Sequence, residues 1–134
     1  MHDLNIADLL REALVLSGCN DQQIGQFDGH STIELELRDL PSLNIVVEDG
    51  EVWCWSNLGP LNSVARAHFA LPLLSFLLEG FAYARTGQLQ LLVTDDLLEV
   101  RVLLSAKALV AAEQLAEAMD SYVERLLALR EVLR

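Results

Sequence analysis

The chain has 134 residues and a mass of 14.9 kDa, which leaves room for one core and one domain spanning 1–134, since domains ordinarily run to about 100–200 residues. With 52% hydrophobic and 22% charged residues it carries enough apolar mass to bury a core, which excludes a disordered chain. Nine Lys and Arg against 20 Asp and Glu leave a formal charge of −11, a field that repels phosphate backbones and anionic lipid and argues against nucleic-acid binding.

The start, Met1-His2-Asp3-Leu4-Asn5, has no basic segment, and Asp8 interrupts the first apolar stretch, so no secretory leader and a cytoplasmic location are expected. Asp3 can cap a helix running to about Ser17, in which Leu4, Ala7, Leu10 and Leu14 recur at helical spacing and Gly18 supplies the stop. From His30 to Leu37 the pattern alternates, with Ile33, Leu35 and Leu37 on one face and Thr32, Glu34 and Glu36 on the other, as in a half-buried strand. Beyond the Leu40-Pro41-Ser42 turn, Leu43 to Val47 and Val52 to Trp55 form a hairpin about Asp49-Gly50.

Gly59-Pro60 is expected to end that sheet segment, and Asn62 or Ser63 to cap an apolar helix reaching about Tyr83. Pro72 falls inside it, and the reading favoured here is a kink rather than a new start. The uncharged run Ala67 to Leu78 has 12 residues, short of the ~20 that span a bilayer, so no membrane insertion is expected. Gly87 then opens a second hairpin, Gln88 to Thr94 and Leu98 to Leu104, turned at Asp95-Asp96. Ser105 is read as the cap of a last long helix, with Leu109, Ala112, Ala116, Met119, Val123 and Leu126 on its face and Leu115, Tyr122 and Leu129 in a row beside them. The order α-β-β-β-α-β-β-α with hairpin links gives an α+β fold, a five-stranded antiparallel sheet with three helices.

Chemistry finds little footing. His2, His30 and His68 lack metal-ligand spacing, and no metal or other cofactor is expected. Asp28-Gly29-His30-Ser31 sets a base beside a hydroxyl, but neighbouring strand residues point to opposite faces, which favours a plain turn into a strand. No glycine pattern cradles phosphate. Asp95-Asp96 and the Glu34, Glu36 pair read as a hairpin turn and a solvated strand face. Cys19 and Cys54, isolated from one another, read as reduced structural thiols. An enzyme is not expected. What stands out is apolar surplus: in Val52-Trp53-Cys54-Trp55 bulk lies on both faces, so one pair faces the helices and the other faces either a partner or a covering helix.

The segments Asn5 to Arg11, Ser17-Gly18-Cys19, Asp28 to Ile33, Leu40-Pro41-Ser42 and Val52 to Trp55 together resemble the InvB/SpaK group of class I type III secretion chaperones. The resemblance covers essentially the whole length. It implies a small, acidic, cytoplasmic homodimer that binds the N-terminal segment of one or more secreted effector proteins, keeps it extended and presents it to the export apparatus, as part of virulence. It places effector contacts on the first helix and first strand, here a groove of Leu10, Leu14, Ile33 and Leu35, and dimer contacts on the middle helix, here Leu73, Phe76 and Leu77, with Trp55. The alternative that the four groove residues belong to the chain's own core stands beside this. So do a dimeric adaptor outside secretion and a small-molecule-binding domain. Independently of the family, a free sheet edge accepts an extended peptide by strand addition, and Glu34 and Glu36 discourage unwanted edge pairing.

Overall fold

In a computed structural model of the chain, residues 6–19 and 32–134 are described. Asp3 and the Asp28-Gly29-His30-Ser31 segment lie outside the described residues. Helix α1 (Ile6–Leu16) buries Leu10, Ala13 and Leu14, the three- and four-residue spacing that puts them on one face. Strands β1 (Ile33–Leu35), β2 (Leu43–Glu48) and β3 (Glu51–Pro60) form an antiparallel meander. Of the expected strand His30 to Leu37, β1 takes in Ile33–Leu35, with Glu36 and Leu37 beyond its end and His30 and Ser31 outside the described residues. The β2–β3 turn places Asp49 at φ 53° and Gly50 at φ 77°, the left-handed pair that a two-residue hairpin requires.

Strand β3 runs five residues past the expected Trp55 and ends at Pro60, so Gly59-Pro60 does close this sheet segment. A bulge between Asn57 and Gly59 absorbs the glycine at φ 95°, the Asn57 side-chain oxygen accepts the Gly59 N–H at 2.8 Å, and Pro60 fills the last paired position opposite Leu97. Proline is tolerated beside a bulge, where the regular ladder is already broken.

Helix α2 (Ser63–Leu78) begins where Asn62 accepts the Ala65 N–H at 2.9 Å, a regular N-cap. Pro72 sits inside this single helix. The helix ends five residues before the expected Tyr83, because Gly80 takes φ 79° and its backbone approaches Gly87 so closely that a side chain there would meet the Gly87 carbonyl at 3.1 Å.

Strands β4 (Gln90–Thr94) and β5 (Leu97–Leu103) pair about Asp95-Asp96, both at positive φ, and β5 also pairs with β3, giving the order β1-β2-β3-β5-β4. Ser105 starts only a short 3-10 turn, Ala106–Leu109, and makes no side-chain cap. An extended Ala111 then separates that turn from the long helix α3 (Ala112–Val132), which therefore begins later than Ser105 implied. The α+β class with five antiparallel strands and three helices is the observed architecture.

Alternation sorts the sheet residues. Leu43, Ile45, Val52, Cys54, Ser56, Val100 and Val102 are buried on one face. That face meets α3, where the Tyr122 hydroxyl bonds to the Ser56 hydroxyl at 2.9 Å, both groups fully buried. Tyr122, with Leu115 and Leu129 on the same helix row, is among the most deeply buried side chains. Helix α1 packs on α3, so both belong to one core with this face of the sheet.

Candidate functional site

Two surfaces of this framework remain to be accounted for. The first is the β1 end of the sheet. Strand β1 has β2 as its neighbour on one side and closes the sheet order on the other, so among the described residues one row of its backbone groups lacks a strand partner. A cavity of about 490 Å³ lies there, walled by Glu34, Leu35, Glu36 and Leu37 on the strand side and by Ser17, Gly18 and Cys19 at the end of α1. Glu34 pairs with Asn44 on the sheet face away from α3 and is exposed, while Ile33 and Leu35 point inward. Burial pushes the Cys19 thiol above its ordinary pKa, and the carboxylate of Asp120 on α3 adds to the shift.

Leu10, Leu14, Ile33 and Leu35, expected to line an open effector groove, are 0, 1, 5 and 8% exposed and share the hydrophobic core. Their inward side chains stabilise the chain itself, at roughly 1.5–3 kcal/mol for each fully buried residue. The structure thus brings the four together, as the resemblance implied, but beneath the surface. Leu35 alone among them also reaches the cavity.

The second surface is α2. Val64, Leu71, Leu74 and Leu78 are 79, 71, 51 and 66% exposed. With exposed Ala67 they follow alternate spacings of three and four, the pattern of a helix-pairing seam. Of the expected dimer residues, Leu73 and Leu77 are half-buried, but Phe76 is only 3% exposed and turns toward its own chain. The Arg125 guanidinium of α3 stacks 4.4 Å from the Phe76 ring, donates to the Phe76 carbonyl and pairs with Glu79 at 3.2 Å. Phe76 therefore anchors α2 to α3 within one chain. Trp55, half-buried, lies on the sheet face away from α3, beside Trp53 and Arg101 in a depression of about 390 Å³. The exposed row of α2 escaped sequence reading because a helix apolar all round gives no sign of which side meets its own chain.

No group of three or more His, Cys, Asp or Glu able to hold a metal occurs among the described residues. Cys54 is fully buried, and desolvation pushes its pKa up to about 12, so it stays a thiol at neutral pH. Among the described residues no helix is long and apolar enough to cross a membrane.

Comparison with known proteins agrees with this architecture. A model of the Invasion protein B family matches residues 18–95. The surface presentation of antigens protein SpaK of Salmonella typhimurium is 38% identical over 122 residues, covering 91% of this chain and 90% of that protein, and SpaK of Salmonella typhi matches to the same extent. Among solved structures, one chain of the heterodimeric ExoU-SpcU complex from the type III secretion system of Pseudomonas aeruginosa shares the fold at a TM-score of 0.61 and 16% identity, covering 90% of this chain and 91% of that one. YbjN of E. coli shares it at 0.53 and 23% identity, covering 94% and 87%. At such identities these two likenesses speak for the fold alone. The family match and the extent of identity to SpaK go further: the chain belongs to the Invasion protein B family, the InvB/SpaK group of type III secretion chaperones.

Proposed function

We propose that this protein is a cytoplasmic, non-enzymatic chaperone that binds the N-terminal segment of one or more secreted effectors in extended form and delivers it to the export apparatus. The observation that carries this reading is the short edge strand β1 beside an open cavity, in a chain of this family. An extended client gains main-chain hydrogen bonds from the edge, and its alternate side chains reach Leu35 and Leu37 at the cavity wall. Leu10, Leu14 and Ile33 then serve as the rigid floor under that edge rather than as contact residues. The complete unit is a homodimer joined through the exposed α2 row, with Leu73 and Leu77 at its margin and Trp55 on the neighbouring sheet face.

Co-purification from a host carrying the secretion system, followed by protease trimming and mass spectrometry, tests the proposal. A protected fragment from the N-terminal region of a secreted protein is the expected result. Recovery of no such fragment, or of fragments from folded interior domains, would sink it.

A further inference from the structure

The surroundings of the β1 edge carry a charge pattern that strand addition alone does not need. Glu34 in β1 and Glu36 just beyond its last residue are both exposed and alternate with buried Ile33 and Leu35 and half-buried Leu37, a burial pattern that sets the two carboxylates on the solvent side of this stretch. Across the cavity is the C-terminal end of α1, where the helix dipole presents its negative pole. Asp120 lies close enough to act on Cys19 in the same wall. Among the described residues that line the cavity, none is cationic. The chain as a whole is at −11. A neutral or acidic strand entering here would leave Glu34 and Glu36 unanswered or opposed, whereas opposite charges on neighbouring strands attract.

Resting on the strand-addition reading above, we infer that the β1 edge selects a client segment with Lys or Arg at alternate positions and apolar residues between them. The basic side chains meet Glu34 and Glu36 on the outer face, and the apolar ones continue the row of Leu35 and Leu37. The two glutamates then have a double effect. They repel edges of other sheets, which lack this register of cations, and they admit the client.

Three labelled peptides serve as probes: one alternating Val with Lys, one Val with Gln and one Val with Glu. A fourth repeats the Lys peptide with N-methylated backbone amides. Fluorescence anisotropy with the full chain should rank Lys above Gln above Glu, with roughly three- to tenfold between Lys and Gln if two cross-strand pairs form. The joint substitution Glu34→Gln and Glu36→Gln should erase that preference. Glu113→Gln with Glu117→Gln on exposed α3 positions makes the same change in net charge and should leave it. Equal binding of the first three peptides, lost on N-methylation, would overturn the inference while leaving strand addition intact. Equal loss of preference in both double variants would also overturn it, by showing a general field effect. Undiminished binding of the N-methylated peptide, or no binding of any peptide, would overturn strand addition and the inference with it.

Discussion

Tyr122 and Ser56 join the longest helix to the middle of the sheet by one bond between two buried hydroxyls. Removing one partner leaves the other dry and unpaired, a larger loss than the bond's own net worth. Tyr122→Phe should therefore lower stability by about 1–3 kcal/mol, and adding Ser56→Ala should recover part of it; denaturant titration of the two single variants and the double variant reads the coupling. A second residue-scale expectation concerns Cys54. Its pKa stands at about 12 against an ordinary 9.0, so above about pH 9 the unfolded thiol loses its proton while the folded one keeps it. Stability is then full below about pH 9 and falls by up to about 1.4 kcal/mol per pH unit as the pH climbs toward 12. Tyr122 is raised for the same main reason, burial, and adds to the decline only at higher pH. Denaturant midpoints between about pH 8 and pH 11 should fall less steeply in Cys54→Ala than in the parent. An identical slope would contradict the buried-thiol account.

At the scale of elements, α2 is held to its chain chiefly through Phe76 and Arg125, while Val64, Leu71, Leu74 and Leu78 face outward. The two sets should separate on mutation. Leu71→Glu with Leu74→Glu should convert the proposed dimer to a folded monomer in light scattering with little change in monomer stability. Phe76→Ala should cost about 3–5 kcal/mol of folding stability, as expected for a buried aromatic. A dimer that survives the glutamates would displace the interface from α2. The elements themselves were largely legible: period-two runs marked the strands, Asp49-Gly50 and Asp95-Asp96 marked their turns, and Asn62 or Ser63 marked the start of α2, where Asn62 proves to be the cap. The errors fell where a local signal had a tertiary answer. The strand expected to end at Trp55 runs on through a bulge between Asn57 and Gly59 and stops only at Pro60, because β5 pairs with it from Trp53 to Pro60. Ser105 looks like a cap, yet its own N–H is taken by the Tyr83 carbonyl at 2.7 Å and only a tight turn follows. The site was less legible than the fold. Leu10, Leu14, Ile33 and Leu35 carry the same alternation whether they line a groove or fill a core, and only the packing of α1 against α3 decides.

Over the whole molecule, charge works at the surface. The ion pairs Arg66 with Asp96, Arg125 with Glu79 and Arg134 with Glu131 are each exposed on at least one side, a setting in which such pairs contribute little. The excess of carboxylates instead keeps the protein apart from other acidic surfaces. The outward row of α2 has a different consequence. If two copies close over it, the melting temperature becomes a function of protein concentration, and each tenfold dilution removes about 1.4 kcal/mol from the assembled pair. At low abundance the apolar row would stand open to proteases and to the apolar segments of unfinished chains. The number of copies a cell holds would then set how long each copy lasts.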